Sequence, residues 1–326
     1  MATIYDIARK AGVSIATVSR VIQKSPHVKP KTYEKVLKAM QELNYSPNSL
    51  AQRLANKEIT SSTFGILIPD ISNLFFIEIL RGIYDIIRVE ENNILLFSIT
   101  PQSRTTVFDR IRKENLQGLF VISFPLLDEE QHFFQSAFYP LIFLENIQPG
   151  YPSLFINNYK GGELAAEYIL SKNPPSIGLI GEEGSPLPQR ERFLGFKEYI
   201  KKRQTVPLYE EYLLIDAHFP YESYTEMAKE TTLRLYHSYR IKHFFFYSDV
   251  LAYGGIKAQR DISEKLTIVG YDDIPPSSAF HLTTIRQPAY ELGKKGAEMM
   301  TSLVKGNTSP HALQPICLEP TLIIRD

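Results

Sequence analysis

With one cysteine, Cys317, in 326 residues, the chain has no means of forming an intramolecular disulfide. Its amino-terminal stretch has no secretory signal pattern either, so a reducing, cytoplasmic setting is expected. Long apolar runs are missing. The longest, Leu119 to Leu127 and Phe244 to Tyr247, are far too short to cross a bilayer and are expected to be buried strands. Catalytic signatures are missing as well: there is no Gly-x-Ser-x-Gly elbow, Walker loop or His-Glu-x-x-His, and Gly178-Leu-Ile-Gly-Glu-Glu-Gly184 lacks Rossmann glycine spacing. The 7 histidines are scattered without metal-ligand spacing and Cys317 has no thiol partner. Neither an enzyme nor a metal or cofactor is expected.

Net charge is also absent, because 36 Lys and Arg balance 36 Asp and Glu, but the balance hides a segregation. Residues 1 to 60 hold ten basic residues against four acids, a net of +6, which leaves −6 for the rest. A basic head on an acidic body is the footprint of a chain that binds a polyanion with the head alone.

The head begins with Thr3-Ile-Tyr-Asp6, which has the capping-box spacing and predicts a helix starting at Thr3. Ile4, Ile7, Ala8 and Ala11 form one apolar face, and Gly12 stands where a left-handed helix stop is wanted. Ser14 is a second cap candidate, opening a helix whose inward face is Val18, Val21 and Ile22. Two helices joined by a tight glycine turn predict a helix-turn-helix. A small helical hairpin inside a core remains the alternative for this pattern alone, and the charge segregation weighs against it. In a helix-turn-helix the outward residues at the start of the second helix meet base edges, here Ile15, Ala16 and Arg20. Arg20 can pair bidentately with guanine, Ile15 and Ala16 can touch thymine methyls, and Ser14, Thr17 and Ser19 suit phosphate oxygens. A third helix is expected over Pro30 to Asn44, with Val36, Met40 and Leu43 inward.

Ile4-Tyr-Asp-Ile-Ala-Arg-Lys-Ala-Gly-Val-Ser-Ile-Ala-Thr-Val-Ser-Arg-Val21 and Leu43-Asn-Tyr-Ser-Pro-Asn48 closely resemble the LacI/GalR family of bacterial transcription regulators. The resemblance continues through Pro69-Asp-Ile-Ser-Asn-Leu-Phe-Phe76, Arg192-Phe-Leu-Gly-Phe196, Ser248-Asp249, Val269-Gly-Tyr-Asp-Asp273 and Leu282-Thr-Thr-Ile-Arg-Gln-Pro288, nearly the whole chain. It implies a hinge helix and linker over residues 48–62, the helix being Asn48 to Ala55, in which Leu54 wedges into the DNA minor groove. Read by spacing alone, Leu54 is an ordinary packing leucine. The resemblance also places His27, Tyr45, Asn48 and Ala51 among the DNA contacts. Lys29 departs from it, standing where the family often has a capping Ser or Thr, and so do Pro174-Pro175 and Tyr224, the last beside the pocket loop and able to narrow it.

From Thr63 onward short apolar runs alternate with amphipathic helical patterns, which predicts βαβ units. The fold class expected is a small all-α helix-turn-helix domain (1–47) and hinge (48–62), followed by an α/β sensor of two doubly wound lobes. The sensor resembles periplasmic sugar-binding proteins: lobe 1 takes about 63–158 and 288–315, lobe 2 about 159–287 and 316–326. Ligands of such sheets sit beyond the strands' carboxyl ends. Phe75, Arg192, Phe219, Asp249 and Asp272 fall on such loops and match the family's effector positions. Together they suit a polyol, with carboxylates accepting from vicinal hydroxyls, Arg192 donating and an aromatic stacking on an apolar sugar face. Each taken singly also reads structurally: Phe219 as core, Asp272 as a turn or cap residue, Arg192 as a salt bridge.

The expected protein is a homodimeric repressor on pseudo-palindromic double-stranded operator DNA, controlled by a sugar-like effector and independent of membranes. A nucleobase effector or a protein corepressor stays open, as does a sugar-binding module or enzyme without DNA affinity. The tail lacks a leucine heptad, which argues against a tetramer built on a C-terminal coiled coil. Because the head carries the +6 imbalance, log affinity for DNA should fall steeply and linearly with log salt. Titrations at a series of salt concentrations check this, and a flat response would remove the charge argument.

Overall fold

The computed structural model describes residues 4–22, 28–43, 63–124, 126–127, 130, 134, 137, 139–184, 187–203, 206–214, 221–307 and 314–325. The expected cap Thr3, the hinge over 48–62, His27, Tyr45, Asn48, Ala51, Leu54 and Phe219 lie outside them.

Three helices form the head: α1 (Ile4–Ala11), α2 (Ile15–Ile22) and α3 (Pro30–Glu42). Gly12 ends α1 at φ +64, and Val13 N donates to Ala8 O while Gly12 N reaches Arg9 O, which satisfies the carbonyls that the last turn leaves open. Ser14 Oγ then accepts from Thr17 N at 3.2 Å and caps α2. At α3 the Lys29 carbonyl receives Thr32 N and Tyr33 N, and Pro30 takes the first helical position. Ile7, Ala8, Val18, Val21, Val36 and Ala39 are buried together, with Met40 and Leu43 against them.

The remainder forms two six-stranded sheets. The first has the order β11-β5-β4-β3-β1-β2, from β1 (Thr63–Ile68), β2 (Asn93–Ser98), β3 (Gly118–Ile122), β4 (Leu141–Leu144), β5 (Ser153–Ile156) and β11 (Ile316–Leu318), all parallel. The second has the order β12-β10-β9-β8-β6-β7, from β6 (Ile177–Glu182), β7 (Leu208–Leu213), β8 (His243–Phe246), β9 (Thr267–Asp272), β10 (Thr283–Arg286) and β12 (Thr321–Ile323), with only β12 antiparallel. Strand order reverses beside β1 and beside β6, giving each lobe the switch point at which such sheets bind ligands.

Helices α4 (Leu74–Ile87) and α5 (Arg104–Lys113) belong to the first lobe; α6 (Asn158–Leu170), α7 (Leu187–Arg203), α8 (Tyr221–Tyr239), α9 (Asp249–Gln259) and the short α10 (Pro276–Ala279) belong to the second. A last helix, α11 (Ala289–Val304), returns to pack on α4. The chain therefore passes between lobes after β5, at Asn157 and Asn158, and after β10, at Gln287. The third passage differs from the expectation near Pro315. Because β11 stays paired with β5 through Leu318, and β12 joins β10 from Thr321, the passage falls at Glu319 and Pro320.

Both lobes bring one helix pair together through facing glycines. A Cβ on Gly82 of α4 would overlap the Tyr290 carbonyl oxygen of α11, and one on Gly293 would overlap Ile79 O. In the second lobe Gly162 of α6 faces Arg192 O, and Gly195 of α7 faces Tyr159 O. The obstacle is backbone, which cannot rotate aside. Gly82→Ala should therefore force α4 and α11 apart and lower the first lobe's stability by about 1–3 kcal/mol or more. Urea denaturation checks this, and a midpoint equal to the parent's would mean that the helices separate freely.

Candidate functional site

On the head, the helix-turn-helix presents Ile15, Ala16 and Arg20 outward from α2, and Ile15 is 41% exposed despite being apolar. Arg20 forms no ion pair among the described residues, whereas Arg9 lies 3.6 Å from Asp6 and Lys10 lies 2.8 Å from Glu42. Ser14 and Thr17 bond each other at 2.8 Å between hydroxyl oxygens. That bond uses one hydroxyl hydrogen, so the pair keeps a single hydroxyl donor for a phosphate. Ser19 is partly exposed on the same helix. Between α1 and α2 runs an open groove lined by Tyr5, Arg9, Gly12, Ser14 and Ile15.

In the sensor, a chain of polar contacts joins the strand ends of the two sheets. Arg192 on α7 is 4% exposed: its Nε donates to Asn158 Oδ1 at 2.8 Å, and one terminal nitrogen donates to Tyr247 O at 2.7 Å and Asp272 Oδ1 at 3.1 Å. The guanidinium also lies 3.9 Å over the Tyr271 ring. The close packing of α6 on α7 brings it to Asn158. Asp272, at the end of β9, also accepts from Gln287 Nε2 at 2.7 Å, while Asn158 Nδ2 reaches Glu145 Oε1 at 2.9 Å, just after β4. Glu145, Asn158, Arg192, Asp272 and Gln287 thus run as one line from the first lobe into the second, touching the first two of the three passages. At its two ends, Glu145 Oε2 and Gln287 Oε1 are buried without a hydrogen-bond partner among the described residues. The Tyr247 hydroxyl donates to Glu182 across the neighbouring ends of β8 and β6.

The expected residues separate on this geometry. Arg192 and Asp272 come together. Phe75 stands at the start of α4, 6% exposed, its ring 5.5 Å from that of Phe76. Asp249, expected to accept from a ligand hydroxyl, is wholly buried, and both its oxygens accept inside the lobe, from Ile274 N, Ser277 Oγ and Thr284 Oγ1. Tyr224 packs against the second lobe's core, and Pro174-Pro175 precede β6 at its amino end, away from the ligand edge. Glu145 and Tyr247 were missed, because a carboxylate or tyrosine after a four-residue apolar run carries no motif.

A family model for bacterial regulatory proteins of the lacI family matches residues 3–48, and one for a periplasmic binding protein-like domain matches 166–326. The ribose operon repressor of Bacillus subtilis (strain 168) is 30% identical over 316 residues, covering 94% of this chain and 92% of that protein. The chain belongs to the LacI family of bacterial regulatory proteins. Catabolite control protein A of Priestia megaterium is 29% identical over 318 residues, covering 94% of this chain and 93% of that protein. A crystal structure of the lac repressor dimer bound to operator and the anti-inducer ONPF matches with a TM-score of 0.68 and 26% identity, over 99% of this chain and 98% of that one. This LacI-family member is a DNA-binding regulator and not an enzyme. Among the described residues no helix is long and apolar enough to cross a membrane.

Burial dominates the electrostatics of the sensor line. It pushes the Glu145 carboxyl from its ordinary 4.5 to about 7, against the opposing hydrogen bond from Asn158 and the Arg192 charge. Burial raises Asp272 too, with Arg192 pulling the other way, and it raises Asp249, to which the Asp272 charge adds. A carboxyl raised on folding keeps its proton in the folded state after the unfolded chain has lost it. Its contribution is complete below the unfolded value and disappears as pH rises through the folded one. Sensor stability should therefore fall between pH 4.5 and about 7, with Glu145 contributing on the order of 3 kcal/mol of that change. Thermal midpoints of Glu145→Gln against the parent across this window check the assignment, and equal pH slopes would refute it.

Proposed function

We propose that this regulator represses transcription by holding a pseudo-palindromic operator as a homodimer in the cytoplasm, and that a sugar-like metabolite bound between the sensor lobes sets its operator affinity. What carries the reading is the line from Glu145 to Gln287: the polar side chains that a polyol would meet are the same ones that tie the two lobes together at the first two passages. A ligand that competes for or completes those bonds changes the balance between open and closed lobes, and only such differential binding can alter DNA affinity. The ribose operon repressor relative and the lac repressor neighbour support a sugar, while the relatives that are PurR repressors keep a nucleobase as the second reading.

In this reading Arg20 contacts guanine, Ile15 and Ala16 contact thymine methyls, and Ser14, Thr17 and Ser19 hold phosphates. His27, Tyr45, Asn48, Ala51 and the wedge Leu54 complete the DNA surface from outside the described residues. In the sensor, Arg192 and Asp272 bind ligand hydroxyls while Phe75 and Phe219 form an apolar wall. Arg20→Ala should weaken operator binding by about 1–3 kcal/mol per contact and relax preference at one base pair, read by binding-site selection. Calorimetric titration with D-ribose, D-glucose and hypoxanthine, with and without operator, tests the control. One sugar should bind, its affinity should change roughly 5- to 150-fold on operator addition, and Asp272→Ala should abolish the response. Hypoxanthine binding alone, or equal affinities with and without DNA, would overturn it.

A further inference from the structure

Between β9 and α10 the chain turns through two consecutive residues with left-handed backbone, Asp272 at φ 117 and Asp273 at φ 56. Neither is glycine, so surrounding contacts must impose the conformation. Asp272 is held by Arg192 and Gln287, and Asp273 by Arg286 Nε and an Arg325 terminal nitrogen, both at 2.7 Å. Beyond them the turn hangs on Asp249. Asp249 Oδ2 accepts from Ile274 N at 3.0 Å and from Ser277 Oγ at 2.6 Å, and Oδ1 accepts from Thr284 Oγ1 at 2.5 Å. Gly270 makes room for this carboxylate, since a Cβ there would overlap Oδ1.

The result of this fixation is to hold one apolar side chain out of its own lobe. Ile274 is 5% exposed, yet it belongs to the core of the first sheet, with Phe75, Phe76 and Ile79, and not to that of the second. Val250 and Tyr253 of α9 pack against the same core, and the Tyr253 hydroxyl bonds Ser277 Oγ at 2.8 Å. Two residues upstream of this apolar plug stands Asp272.

We propose that Asp249 is a positioning residue for the allosteric response: it fixes the 272–277 turn so that Asp272 on the ligand side and Ile274 in the first lobe move as one unit. The seated plug then reports effector binding to the lobe that the DNA-binding head precedes in the chain. This rests on the reading of Asp272 as an effector contact. A turn held at both flanks is a two-state element, because the plug is either packed in the first lobe's core or withdrawn, and closely packed interiors offer few intermediate arrangements.

The test uses the full-length protein with Cys317→Ser and spin labels at Lys113→Cys on the first lobe and Lys201→Cys on the second. In the ligand-free protein, Ile274→Ala should give a longer and broader label separation, Asp249→Asn should give the same change, and the double variant should add nothing to either. With D-ribose as probe, Ile274→Ala should retain ribose and operator affinities while the operator-linked change in ribose affinity falls toward unity. Circular dichroism establishes that each variant is folded; if Asp249→Asn is not, Ser277→Ala and Thr284→Val each remove one bond to Asp249 and take its place. An unchanged separation in folded Ile274→Ala, or additive effects in the double variant, would overturn the proposal. Failure of Asp272→Ala to alter ribose binding would instead overturn the effector assignment, leaving the label separations to decide whether the plug controls closure.

Discussion

A guanidinium taken out of water must find its hydrogen-bond acceptors and its counter-charge inside the protein, because an unpaired buried charge costs several kcal/mol. Arg192 meets that requirement with Asn158 from the first lobe passage, the Tyr247 carbonyl at the end of β8, and the Asp272 carboxylate at the end of β9. Three segments distant in the chain are thereby tied to one planar group. The glycine contacts of α6 on α7 serve the same end, because they let the Arg192 backbone approach closely enough for the side chain to reach Asn158. A lysine would supply the charge without the rigid fork that spans these acceptors.

Around this group the sensor holds more carboxylates than one cation can neutralise. Glu145, Asp272 and Asp249 are all raised, with burial as the first cause. The three are not equivalent. Asp249 receives three internal donors, whereas Glu145 keeps one oxygen without a partner among the described residues. Unsatisfied buried acceptors are costly in a static core and useful where a donor arrives from outside. The two carboxylates are thus distinguished by their hydrogen-bond partners rather than by residue type.

The head and the sensor solve opposite problems. Among the described residues, six buried side chains hold together three helices and leave an apolar Ile15 and an Arg20 without an ion pair on the exposed face of α2. The sensor instead buries its polar line, with Arg192, Asn158 and Glu145 all nearly removed from solvent. Salt reaches the head directly and the sensor line hardly at all, as screening acts on exposed charges and weakly on buried ones.

Local pattern was enough for the head. Gly12 after Ala11, the hydroxyl of Ser14 and the spacing of Val18 and Val21 determine two helices and their turn through contacts a few residues apart, so the sequence alone determines which face of α2 reaches outward. The βαβ alternation likewise determines two doubly wound lobes, and Asp272 is legible as the residue that ends a strand. Tertiary structure alone decided the rest. The four-residue strands β4 and β5 are too short to show a period, and the final passage was set by β11 choosing β5 as its partner, a pairing across about 160 residues of chain. Whether Asp249 met ligand or backbone, and whether Ile274 packed in its own lobe or the other, depended on distances between segments that no local spacing encodes. Burial and hydrogen-bond satisfaction are properties of the assembled neighbourhood, and that neighbourhood exists only once the lobes have met.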